Sequence, residues 1–155
     1  MYANLPSLLK QTQFFERFSD EEKKALLGMP HFFSNFRAGE FLIRENEKDD
    51  NALFVILQGS ASVTKNSNPK QLLDTMVAGN VFGEISFLIQ IPRTSNVIAL
   101  EDSICFVLKS NKLDKLPLQL QLKFRDCLID ILVKRLIHLD HLYTSQAVLE
   151  TDIKE

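Results

Sequence analysis

Phe82-Gly83-Glu84-Ile85-Ser86-Phe87-Leu88-Ile89-Gln90-Ile91-Pro92-Arg93-Thr94-Ser95 is the stretch that decides how this chain is read. A glycine opens a short helical segment, and an acid stands in its first turn. An apolar run follows, then a proline break, an arginine and two hydroxyls. Gly83 lets the backbone approach a ligand closely. The first helical turn offers free N–H groups to an anion, and Arg93 carries a planar fork that matches phosphate oxygens. Glu84 is the unexpected member, because a carboxylate beside a phosphate is repulsive unless it has a second task. Accepting a hydrogen bond from a sugar hydroxyl is such a task, with Arg93 offsetting the charge. The stretch therefore reads as a device for a phosphate joined to a ribose.

Outward from this stretch, residues 31–109 alternate short apolar runs with punctuation at Gly39, Glu47-Lys48-Asp49-Asp50, Gly59, Asn66-Ser67-Asn68-Pro69, Gly79 and Gly83. Evenly spaced short strands with turn signals predict a β-sandwich or barrel. Leu53 to Leu57 is the expected deepest strand, and Asn66 to Pro69 the expected hairpin loop. Val97–Leu100 and Ile104–Leu108 are expected to form the last strand pair, joined by Glu101, Asp102 and Ser103. Residues 1–30 read as helices. Ser19 with Glu22 forms a capping box, and the segment it opens stops at Gly28 before Pro30. After Pro117, Phe124, Leu128, Ile131, Leu132, Leu136, Leu139 and Leu142 recur at three- and four-residue steps, which predicts one long helix to about Val148. Its apolar face from Leu128 to Leu142 is expected to be an output surface. Glu150 to Glu155 are expected to fray.

These motifs resemble the cyclic nucleotide-binding domain family, which includes the catabolite activator protein, cAMP-dependent kinase regulatory subunits and cyclic-nucleotide-gated channels. The resemblance runs from about Phe14 to Leu142. It is carried by Ala38-Gly39-Glu40, by Leu53-Phe54-Val55-Ile56-Leu57-Gln58-Gly59, by the approach Ala78-Gly79-Asn80-Val81-Phe82-Gly83-Glu84, and by the stretch quoted first. It implies an α+β fold, in which an eight-stranded jelly-roll-like β-roll (31–109, with the phosphate-binding cassette at 82–95) lies between N-terminal helices (1–30) and C-terminal helices (112–149). All of this forms one domain, 1–155. By the same resemblance Glu84 holds the ribose 2′-hydroxyl and Arg93 the cyclic phosphate. Gly83, Ile85 and Thr94 would cradle that phosphate through their amides, with Ser86, Ser95 and Phe82 beside them. Val63 and Met76 either flank the purine or are plain core, and Asp74 shares their side of the strand. Arg135 and Leu139 match positions that cover the base, although Arg135 also fits an exposed helix arginine. Asn46 and Asn80 depart from the family pattern, at places expected to lie away from the ligand.

The composition agrees with a globular chain of one core. It has 155 residues, is 45% hydrophobic and 25% charged, and its net charge of −2 gives no reason to expect nucleic acid as partner. No apolar run approaches a membrane span, and Met1-Tyr2-Ala3-Asn4-Leu5-Pro6 lacks the layout of a signal peptide. Cys105 and Cys127 sit among apolar neighbours without metal spacing, which fits a reducing cytoplasm. His31, His138 and His141 form no metal pattern with a carboxylate or thiol, and no catalytic constellation of Ser/His/Asp or Cys/His appears. The expectation is a cytoplasmic, non-enzymatic sensor that takes cAMP ahead of cGMP and uses no cofactor or metal. It would couple ligand to its C-terminal helix, which would serve as a homodimer seam or effector-docking surface. The alternatives are a dimerising adaptor of the same fold with no nucleotide and, more remotely, a barrel enzyme. The chain ends where activator-like regulators continue into a helix-turn-helix, so a stand-alone sensor or a regulatory piece of something longer is expected.

Overall fold

The strand Leu53–Gln58 (β3) explains the architecture. Five of its residues are buried in unbroken succession, so the strand is covered on both faces. Leu53, Val55 and Leu57 point into a core shared with the helices. Phe54 and Ile56 point into a second core inside the β-roll. The computed structural model describes residues 4–48 and 50–152. Met1 to Ala3, Asp49 of the acidic loop and the last three residues lie outside the described residues.

Two antiparallel four-stranded sheets build the roll. The first has the order β1 (Phe33–Phe36), β8 (Ser103–Leu108), β3 and β6 (Val81–Phe82). The second has the order β2 (Phe41–Ile43), β7 (Asn96–Ala99), β4 (Ser60–Thr64) and β5 (Asp74–Val77). The expected last pair is therefore corrected. β7 and β8 lie in different sheets, β7 pairing with β2 and β4, and β8 with β1 and β3. Ser103 itself opens β8 and pairs with Phe36. The three residues 100–102 between β7 and β8 turn a corner between layers.

The helices cover the outer face of the first sheet. α1 (Leu5–Gln11) starts with proline near its N-terminus, and α2 (Asp20–Leu27) carries the full capping box of Ser19 and Glu22. A 3-10 turn over Gln13–Phe15 joins them. α3 (Glu84–Ile89) is the cassette helix, α4 (Ser110–Leu113) a single turn, and α5 (Leu118–Asp152) runs for 35 residues. α5 is helical through Asp152, so the fraying expected from Glu150 is not seen as far as that residue.

The fully buried residues of α5 lie in its first third. Leu120, Phe124 and Leu128 are buried, and Phe124 stacks on Phe106 of β8 with ring centroids 5.6 Å apart. Phe14, Phe15 and Phe18 complete an aromatic cluster around that pair, the edge-to-face and offset geometry that aromatic quadrupoles favour. Leu128 thus belongs to the domain's own core rather than to an output face. From Leu132 onward the large apolar residues of α5 are exposed, Leu136 at 68%.

Candidate functional site

β6 and α3 meet at Gly83, which has φ 79° and ψ 5°, in the left-handed region. A Cβ there would lie 2.7 Å from the Ala52 carbonyl oxygen and 3.0 Å from Arg93 Nη1. Glycine is therefore required twice over, by its dihedral and by the close approach of two other segments. The side chains that follow turn inward: Glu84 and Ser86 are buried, while Ile85 is exposed on its other side.

Arg93 arrives from the opposite direction and is 2% exposed. Its Nη2 donates to the Ala52 carbonyl at 2.8 Å and its Nη1 to the Gly83 carbonyl at 3.3 Å. The Arg93 backbone is clamped as well, with its N–H donating to Glu47 O at 3.0 Å and its carbonyl accepting from Asn46 N–H at 2.7 Å. Asn46 holds the expected left-handed conformation, φ 65°. A buried cation aimed by carbonyl dipoles is costly to build.

A cavity of about 510 Å³ opens over these groups, within the size range of small-molecule sites. Its walls hold Phe82, Gly83, Glu84, Ile85, Ser86, Arg93, Thr94 and Ser95 from the cassette. Val63, Asp74 and Met76 come from the second sheet, and Arg135 from α5. Leu139, the other residue expected there from α5, is half exposed and does not line it. Ile43, Thr75, Asn80 and Val97 line it unannounced. Asn80 thus corrects the expectation that it stands away from the site. Its side-chain oxygen accepts from Val77 N–H at 2.8 Å, tying the β5–β6 turn to the cavity wall. Hydrophobic alternation could have flagged Ile43 and Val97 as interior, but only the closed roll shows which interior residues border the opening.

The electrostatics centre on Arg135. Its Nη1 donates to Glu84 Oε1 as an ion pair, and its Nη2 donates to the Val81 carbonyl at 2.7 Å. Glu84 is 5% exposed, so its carboxylate is held against a specific cation. Burial draws the Arg135 pKa down and the Asp74 carboxylate draws it back up. One side chain thus ties α5 to the cassette and to the strand before it. Burial pushes the Cys105 thiol up to about 12 and the Cys127 thiol to about 11, so both stay protonated at neutral pH. Among the described residues, no helix is long and apolar enough to cross a membrane.

Known proteins are similar to this chain in sequence or in fold. A cGMP-dependent protein kinase of Eimeria tenella is 26% identical over 132 residues, covering 84% of this chain and 13% of the kinase. The chain thus spans about an eighth of that relative's length. The catabolite activator protein of Thermus thermophilus superposes with a TM-score of 0.70 at 20% identity, over 86% of this chain and 62% of that one. A cyclic nucleotide-binding domain from Methylobacillus flagellatus does so with a TM-score of 0.70 at 24% identity, over 88% and 79%. The family model described as cyclic nucleotide-binding domain matches residues 33–119, which hold every strand of the roll and the whole cassette. This chain belongs to the cyclic nucleotide-binding domain family.

Proposed function

We propose that this domain is a cytoplasmic sensor that binds a cyclic purine mononucleotide, cAMP ahead of cGMP, and performs no chemistry on it. The observation that carries the reading is the pairing of Arg93 and Glu84, both buried, on the wall of one cavity. Arg93 and the amides of Gly83, Ile85 and Thr94 take the phosphate, with the Thr94 hydroxyl assisting and Ser86 and Ser95 alongside. Glu84 accepts from the ribose 2′-hydroxyl. Val63, Met76 and Phe82 pack against the base.

Output runs through Arg135. Glu84 Oε1 is held by Arg135, so a ribose hydroxyl arriving at the same carboxylate changes the partner that fixes α5. A ligand that binds one position of α5 better than another shifts the population toward that position by its differential affinity. On either side of Arg135 the exposed residues Ile129, Leu132, Leu136, Leu139 and Tyr143 are spaced three and four apart on α5, the spacing of a coiled-coil seam. The partner there is a second copy or an effector helix. That seam also favours a second reading, in which the domain is a dimerising adaptor that needs no nucleotide.

Calorimetric titration of cAMP and cGMP into the chain separates the two readings. For the sensor, Arg93→Ala costs about 2–5 kcal/mol of binding, the usual loss for one partner of a buried charged contact, in a variant whose circular dichroism confirms folding. Wild-type binding that survives the substitution unchanged would sink the phosphate assignment. Absence of binding by the wild type leaves the adaptor reading.

A further inference from the structure

The segment that leaves the cassette is fastened to its surroundings at one polar group after another. The Arg93 N–H and carbonyl are engaged with Glu47 O and Asn46 N–H. The side chain of Asn96 is 6% exposed and is satisfied at both ends. Its Oδ1 accepts from Glu45 N–H at 2.9 Å, and its Nδ2 donates to Asn66 Oδ1 at 2.7 Å. The Asn66 N–H donates in turn to the Glu45 carboxylate. These bonds tie the foot of the β4–β5 hairpin to residues 93–96. The Lys65 backbone is fixed at the same foot, bridged to Asn68, whose N–H donates to Lys65 O at 3.1 Å.

From that foot the half-buried Lys65 side chain reaches across, and its ammonium donates to the Thr94 carbonyl. This bond fixes the plane of the peptide between Thr94 and Ser95. No peptide bond among the described residues is cis, so the C=O and N–H of that peptide point in opposite directions. Thr94 and Ser95 line the cavity, whereas Lys65 does not. The carbonyl is thus held toward a group outside the wall, and the Ser95 N–H is turned the other way. Among the described residues neither the Thr94 nor the Ser95 N–H has a protein acceptor. Donation to a carbonyl also polarises its peptide and makes the N–H of the same unit a stronger donor.

We propose that Lys65 is a positioning residue of the phosphate subsite: by holding the Thr94 carbonyl it keeps the Ser95 N–H aimed at the anion beside Arg93. The proposal rests on the reading of the cavity as a cyclic nucleotide site. It adds to that site a residue from outside the cassette, 29 positions before the carbonyl it holds.

Calorimetric titration of cAMP and of its two phosphorothioate diastereomers into the wild type and Lys65→Met is the test. Each diastereomer replaces one exocyclic phosphate oxygen with sulfur, a weak hydrogen-bond acceptor, and keeps the charge, the ribose and the base. Lys65→Met keeps the apolar stem and removes a donor from an exposed bond, and its melting temperature checks that the fold is retained. Loss of one aimed N–H predicts an affinity for cAMP about three- to tenfold weaker. For the diastereomer whose sulfur meets the Ser95 N–H the acceptor is already poor, and the same substitution costs about twofold or less. The other diastereomer shows the full loss. A merely structural role, or an ammonium acting on the phosphate through space, weakens all three ligands by one common factor, and that result overturns the proposal. An affinity for cAMP that Lys65→Met leaves unchanged overturns it as well. Both results leave the nucleotide site standing if Arg93→Ala still abolishes binding. Failure of all three ligands to bind the wild type removes the site and the proposal together.

Discussion

Replacing Gly83 with alanine separates two costs that coincide at that position. The first is conformational, because φ is +79° and an L-residue in the left-handed region costs about 1–2 kcal/mol. The second is steric. The new Cβ would lie 2.7 Å from the Ala52 carbonyl oxygen, the same oxygen that accepts from Arg93 Nη2 at 2.8 Å. Moving that carbonyl aside lengthens a hydrogen bond to a charged group, which is worth about 1.5–3 kcal/mol. The sum is about 2.5–5 kcal/mol, and for a chain of this size the melting temperature falls by roughly 5–20 °C. Gly39 is the internal control, since its φ is +88° but nothing lies within 4 Å of its built Cβ. Gly39→Ala should show the conformational cost alone, a drop of roughly 2–8 °C. Differential scanning calorimetry reads both variants, and titration with cAMP reads the second consequence. Gly83→Ala also misplaces Arg93 and loses nucleotide affinity, whereas Gly39→Ala keeps it. Equal melting temperatures for the two variants would refute the steric part of the reasoning.

Acid sensitivity and assembly give two further tests. The Lys123 ammonium, 2.6 Å from Glu22 Oε1, holds the Glu22 carboxyl below the ordinary carboxylate range. A lowered folded-state pKa contributes stability above the unfolded value that is lost as pH falls through the folded one. The melting-temperature advantage of the wild type over Lys123→Met should therefore narrow as pH drops below about 4, and an advantage that persists undiminished to strong acid contradicts the assignment. On α5, the double substitution Leu136→Asp with Leu139→Asp alters residues 68% and 50% exposed, so the single-chain fold should lose no more than about 0.5 kcal/mol per site. Sedimentation velocity should show a wild-type dimer reduced to monomer by this change, and a wild type that is monomeric at all concentrations removes the self-pairing seam.

The cassette was legible because its residues are neighbours in sequence, and glycine, acid and arginine each carry a constraint visible locally. The doubly buried β3 was legible for a related reason, since covering both faces demands an uninterrupted apolar run. The partition of β7 and β8 between sheets was not. Both are short and apolar, and hairpin pairing across three residues is the default for such segments. What overrides it is the roll's need to close, which places Cys105 among the interior residues and Phe106 among the helices. The partner of Arg135 was also out of reach, because Glu84 lies 51 positions away and no local signal links a helix arginine to a buried acid. Leu128 and Leu132 sit on the same helical stripe, yet one is 1% and the other 36% exposed. The helix leaves the buried core between them, and periodicity alone does not mark where a helix departs from its support.

That departure gives α5 the geometry of a lever. Its fulcrum is Leu128, the last fully buried residue of the helix, and its load is the far end of the helix at Asp152. Arg135, where the cassette grips, is about 10 Å from the fulcrum along the axis, and the far end is about 36 Å from it. A displacement of about 1 Å imposed at Arg135 therefore sweeps the tip through more than 3 Å. Mechanical gain of this kind needs no bending and no second moving part, only a stiff rod gripped close to its pivot. The same ratio works in reverse: a partner holding the outer end of the helix resists motion at Arg135 with more than three times the leverage, so assembly at the tip sets how freely the site can respond.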